Sequence, residues 1–131
     1  MRTNTVGFVA ALIVGIEGIV LVGLTVWQIM ALVGGDVGSI ESALALIVLT
    51  AVGAAGVLAF AVAILRGRSW GRSGGIVVQV LILAVALGAA TGAYAHPLTA
   101  LAIAAPALVA LVLLVLTVRG AGREASVDDV D

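Results

Sequence analysis

The chain has 131 residues, of which 63% are hydrophobic and 10% charged, and its formal net charge is -1. A soluble domain is about half apolar and about a quarter charged, and one this short keeps too much surface exposed to hide the excess from water. The composition therefore points to lipid as the solvent. A charge this close to neutral gives no footprint for nucleic acid, and the absence of cysteine excludes disulfides, thiolate metal sites and cysteine nucleophiles.

Crossing a hydrocarbon core takes about 20 apolar residues in a helix. Four stretches meet that requirement, predicting spans over about residues 6–33, 40–65, 74–94 and 98–118. The first is interrupted only by Glu17, Thr25 and Gln28. It is longer than the roughly 7–15 residues of a signal-peptide core, so it reads as a retained anchor. The connections, Gly34–Ser39, Arg66–Arg72 and Ala95–Pro97, are short. Short links make consecutive helices antiparallel neighbours, so the expected fold is all-α: an up-down-up-down four-helix transmembrane bundle over residues 1–118. Residues 119–131, with Glu124, Asp128, Asp129 and Asp131, have too little apolar content to fold alone and predict a disordered, acidic cytoplasmic tail.

The arginines set a direction. Arg2 precedes the first span, Arg66, Arg68 and Arg72 lie between the second and third, and Arg119 and Arg123 follow the fourth. The opposite side holds Asp36, Glu41 and His96 but no arginine. An excess of positive charge stays on the cytoplasmic side, which predicts a multi-pass plasma-membrane protein with both termini in the cytoplasm. Trp27, Trp70 and Tyr94 fall near span ends, where amphipathic rings anchor at the interface. Arg66, Arg68, Trp70 and Arg72 also form a patch suited to anionic lipid headgroups, although the topology signal alone accounts for the arginines.

Helices in lipid associate through small residues that let backbones approach. The first span carries Gly7, Ala11, Gly15 and Gly18 on one face, and the third carries Ala84, Gly88 and Gly92. These predict packing faces, either within the chain or toward a second copy or a larger membrane-protein partner. Pro106 falls in the middle of the fourth span, where it removes a backbone donor and predicts a kink.

Glu17 is the only acidic or basic residue in the interior of a span, Glu41 standing at the very start of the second. Ionisable groups at bilayer depth are expensive and are paired or functional. Gln28 lies on the same stripe of the first span, and Gln79 lies one to two turns into the third. Three readings stay open for Glu17: a polar clamp between helices, a proton or cation site lined by Gln28 or Gln79, and a contact with a partner. By helical rise Glu17 is deeper than Gln79, so a direct bond between them requires an offset or tilt. The single His96 has no second ligand nearby for a metal, and no phosphate loop, HExxH or GxSxG motif occurs. No enzyme, metal or cofactor is expected.

Glu17, the Arg66–Arg72 loop with Trp70 and Arg72, and Gln79 soon after it resemble the layout of small uncharacterised four-span membrane proteins common in actinobacteria. The arginine-only, Ala- and Gly-rich composition fits the GC-rich genomes of that group. The resemblance covers nearly the whole chain and implies its architecture but no activity. That group carries alanine between the Trp and the Arg, where this chain has Gly71. Glu17 also resembles the essential first-span glutamate of the small multidrug resistance transporters, which exchange protons for cationic drugs. Their fourth span uses glycine for dimer contact, their topology is weakly biased or dual, and aromatic residues line their chamber. Here the fourth span has no glycine, the arginines fall on one side, and the chain has five aromatic residues.

The reading that follows is a non-enzymatic membrane protein acting through helix–helix contacts as an accessory subunit or scaffold. The alternative is a small proton-coupled transporter or channel built on Glu17.

Overall fold

The computed structural model describes the backbone of residues 2–130 and the side chains of residues 5–123. Four helices follow in order, α1 (Arg2–Val33), α2 (Ile40–Leu65), α3 (Ser69–Thr91) and α4 (Pro97–Val130), and each contains a segment long and apolar enough to cross a membrane. The shortest of these, α3 with 23 residues, rises about 35 Å against a core of about 30 Å.

Local chemistry sets the helix ends. After α1, Asp36 N–H donates to Ala31 O at 3.0 Å and Gly35 N–H to Leu32 O at 3.2 Å. After α2, Arg68 N–H donates to Ala63 O at 2.9 Å and Gly67 N–H to Ile64 O at 3.0 Å. Both are Schellman closures, which need a residue in the left-handed region; Gly35 (φ 77°) and Gly67 (φ 70°) supply it. Ser39 caps α2, its hydroxyl accepting the Ser42 N–H. Pro97 opens α4 at the position where its missing N–H costs nothing.

Several boundaries differ from those expected. α3 starts at Ser69 instead of 74 and ends at Thr91 instead of 94. The Gly67 closure turns the chain so tightly that the polar residues Ser69–Ser73 already form helix, and the 66–72 loop shrinks to residues 66–68. Gly92 caps α3, its N–H donating to Gly88 O at 2.8 Å, so the third short link, expected at residues 95–97, becomes residues 92–96. α4 is assigned as continuous across Pro106 and runs on to Val130, over the stretch whose composition predicts a disordered tail. No proline follows to stop it, and propagating an existing helix needs no new nucleus. The tail's side chains from Glu124 onward lie outside the described residues.

α1 packs most closely on α2 and α3 on α4, while α2–α3 and α1–α4 contacts are lesser. The molecule is thus two helical hairpins held in a ring. Along α1 the contacts climb from Gly15 to Gly18 to Gln28 while their α2 partners descend from Ala61 to Leu58 to Thr50. The core comprises Ala10, Ala11, Val14, Val57, Ala61, Ile64 and Leu114. All of these lie in the half of the bundle nearest the 66–68 turn. In the other half no residue from Ile19 to Gly53 is buried, and from Val80 to Pro106 only Ala86 and Ala100 are. The hairpins are therefore clamped together at one end and bury little at the other.

Glycine makes the clamp possible. A Cβ on Gly71 would meet the backbone nitrogen of Ile64 at 2.8 Å and the carbonyl carbon of Ala63 at 2.9 Å. An alanine at this position would force α2 and α3 apart. Phe60 lies over Gly74 and meets Trp70 edge-to-face, with ring centroids 5.9 Å apart, a favoured aromatic geometry.

Candidate functional site: the intramembrane polar pair

Glu17 and Gln79 face one another across the bundle. Gln79 Nε2 donates to Glu17 Oε2 at 2.6 Å. The offset expected between them narrows to about 3 Å because α3 begins five residues early. Gln79 is ten residues, or about 15 Å, from Ser69, and Glu17 is twelve residues, or about 18 Å, from Thr5.

Gln79 is fully buried and Glu17 half-buried. The pair marks the limit of the packed half: Gly18 is the last buried residue of α1, and after Gln79 the next on α3 is Ala86. Glu17 Oε1 and Gln79 Oε1 are both buried and find no donor among the described residues. A protonated Glu17 carries one hydroxyl donor, and Gln79 Oε1 is an acceptor that needs one. The pair thus has the complement of groups to hold a single proton, as well as to tie α1 to α3.

Gln28 is separate from this pair. Its Nε2 donates to Thr50 Oγ1 at 3.2 Å, joining α1 to α2, and its Oε1 is likewise buried without a donor. Sequence reading singled out Gln28 but missed its partner, since Thr50 is one of several threonines. Thr25, Thr50, Thr91 and Thr117 each donate to the carbonyl four residues earlier, the usual fate of a threonine in a helix.

The small-residue faces divide into two. On α1, Gly7 meets Thr117, Gly15 meets Ala61 and Gly18 meets Leu58, while Ala11 is buried; this face is consumed within the chain. On α3, Ala84 and Gly88 are exposed, and a Cβ on Gly88 would meet nothing within 4 Å; Gly92, expected on the same face, is instead the exposed, extended cap just past the helix end. In the basic turn, Arg72 Nη1 donates to Gly67 O at 3.0 Å, so this arginine braces the loop while Arg66, Arg68 and Trp70 stay exposed. Among the described residues, no three His, Cys, Asp or Glu side chains gather as a metal site would require.

No family model, curated protein or solved structure matches this chain. The likenesses to the actinobacterial four-span proteins and to the multidrug transporters rest on the residues quoted for them alone.

Proposed function

We propose that this is a non-enzymatic, multi-pass protein of the plasma membrane that acts by helix–helix contact, as an accessory subunit or scaffold for a larger membrane protein or for further copies of itself. The observation that carries the proposal is the outward face of α3, where Ala84 and Gly88 are exposed and Gly88 has open space over its Cα, with the exposed cap residue Gly92 just beyond the helix end. Small residues at such spacing let a second helix approach closely in lipid, and among the described residues nothing lies within 4 Å of a Cβ placed on Gly88. The short connections and the arginine distribution support an up-down-up-down arrangement with both termini cytoplasmic. The composition and the spacing of Glu17, Arg66–Arg72 and Gln79 support an actinobacterial source.

The test is a mild-detergent pull-down of the tagged protein at native expression, with co-purifying subunits identified and counted. A stoichiometric partner, or a defined homo-oligomer, that is lost in Gly88→Leu supports the proposal. Recovery of the chain as a solitary monomer overturns it.

A second reading, a small proton-coupled transporter or channel, is favoured by one observation: Glu17 is half-buried at the floor of the loosely packed half, with one oxygen unpartnered. In this reading Glu17 takes and releases the proton, and Gln79 and Gln28 line the path. Proton flux into proteoliposomes that Glu17→Gln abolishes would support it, and flux unaffected by that substitution would remove it.

A further inference from the structure

Beside the basic turn an open groove of about 600 Å³ runs along the outer side of α2, lined by Ala55, Leu58, Ala59, Val62, Ala63, Arg66, Arg68 and Trp70. Its floor is apolar, because positions 55, 58, 59, 62 and 63 form one helical stripe. Its length, from Ala55 to Arg66, is eleven residues or about 17 Å, the depth of one leaflet of a core about 30 Å thick. One end is basic and the rest is greasy.

Three contacts hold the basic end in place. The Gly67 closure fixes the turn, Arg72 braces it through Gly67 O, and Phe60 sets the plane of Trp70, which forms the wall. Arg66 and Arg68 are exposed at the rim. The described carboxylates lie elsewhere, Asp36 and Glu41 at the opposite ends of the helices and Glu17 in the bundle interior.

We infer that this groove is a binding site for an anionic phospholipid, its phosphate headgroup held by Arg66 and Arg68 beside Trp70 and one acyl chain lying along Ala55, Ala59 and Val62. Charge complementarity selects the headgroup, since basic residues at a membrane surface attract anionic lipids. The alanines leave the acyl chain its space. The site goes beyond the proposed function and depends only on the chain crossing a bilayer.

Tryptophan fluorescence tests it. The full chain with Trp27→Phe keeps Trp70 as its only tryptophan. It is placed in phosphatidylcholine vesicles containing a minority of phosphatidylglycerol, with quenching bromine carried on the acyl chains of one lipid or the other at equal mole fraction. The expected result is a roughly ten-fold enrichment of phosphatidylglycerol at Trp70, in keeping with two arginines at an anionic surface. Arg66→Gln with Arg68→Gln should abolish the enrichment, Ala55→Leu with Ala59→Leu should reduce it by filling the groove, and Arg119→Gln with Arg123→Gln should leave it unchanged. Equal quenching by the two lipids overturns the site, as does enrichment that survives the Arg66/Arg68 change. Enrichment that survives groove filling reduces it to general charge attraction and overturns the acyl seat. Quenching by brominated phosphatidylcholine reports membrane insertion in every variant, so failed insertion is distinguished from a failed site.

Discussion

Gln79 donates to Glu17 at 2.6 Å between α3 and α1, helices that stand opposite each other in the ring of main contacts. Their bond ties one hairpin to the other where the packed half gives way to the open half. Removing either partner leaves the other without it in a low-dielectric interior, at a cost of about 1–3 kcal/mol. Glu17→Ala and Gln79→Ala should each destabilise the folded bundle in detergent unfolding. A double-mutant cycle should return a coupling of about 0.6–1.7 kcal/mol, the span of such bonds in membranes. Glu17→Gln keeps an acceptor for Gln79 and adds a donor for its Oε1, so its loss should be the smallest of the series. A coupling of zero would show that the bond does not tie the hairpins together.

Gly71 and Gly88 make opposite predictions from the same substitution. Gly71→Ala presses a methyl onto the α2 backbone and should cost about 1–3 kcal/mol, as overpacking does. Gly88→Ala meets open space and should leave the monomer's thermal stability unchanged. Equal melting temperatures for Gly71→Ala and the parent chain would refute the close approach of α2 and α3.

The turn at Gly67 should also resist substitution. Its φ of 70° is costly for a residue with a Cβ, so Gly67→Ala should lose about 1–2 kcal/mol, the left-handed penalty. Gly38, which has no positive φ and open space around its Cα, is the control and should tolerate alanine. The comparison is read by thermal unfolding of both variants.

The arginine distribution predicts orientation. A green fluorescent protein fused after the last residue should fluoresce, and alkaline phosphatase inserted at Gly38 should be active, because the arginine-bearing side stays inside. Moving the bias, with Arg66, Arg68 and Arg72 changed to Gln and Asp36 and Glu41 changed to Arg, should yield a mixed or inverted population. Phosphatase activity at the C-terminal fusion of the parent chain would overturn the assignment.

Much of the architecture could be read without coordinates. Four apolar runs of sufficient length gave four helices, because a backbone in lipid must satisfy its own hydrogen bonds and a helix does so within one segment. Glu17 stood out for the same reason: a carboxyl in such a run is costly wherever the chain places it. The α3 helix starts before its apolar run because apolar content marks the hydrocarbon depth of a span, whereas the helix itself begins with Ser69, just after the Gly67 turn.

The sequence by itself thus determined the four helices long and apolar enough to cross a membrane, the spacing of the arginines between them and the residues that needed explaining. Only the tertiary structure decided that Glu17 meets Gln79, that Gln28 meets Thr50, that Gly7, Gly15 and Gly18 are spent inside the chain, and that Gly88 is not. The division has a physical cause. Hydrophobic burial in lipid depends on composition along one segment, which a linear string records. Which polar groups meet, and which small residues are covered, depends on the rotation and depth of separate helices. Turn geometry such as the Gly67 closure sets those, and a shift of a few residues in one helix start moves every partner along it.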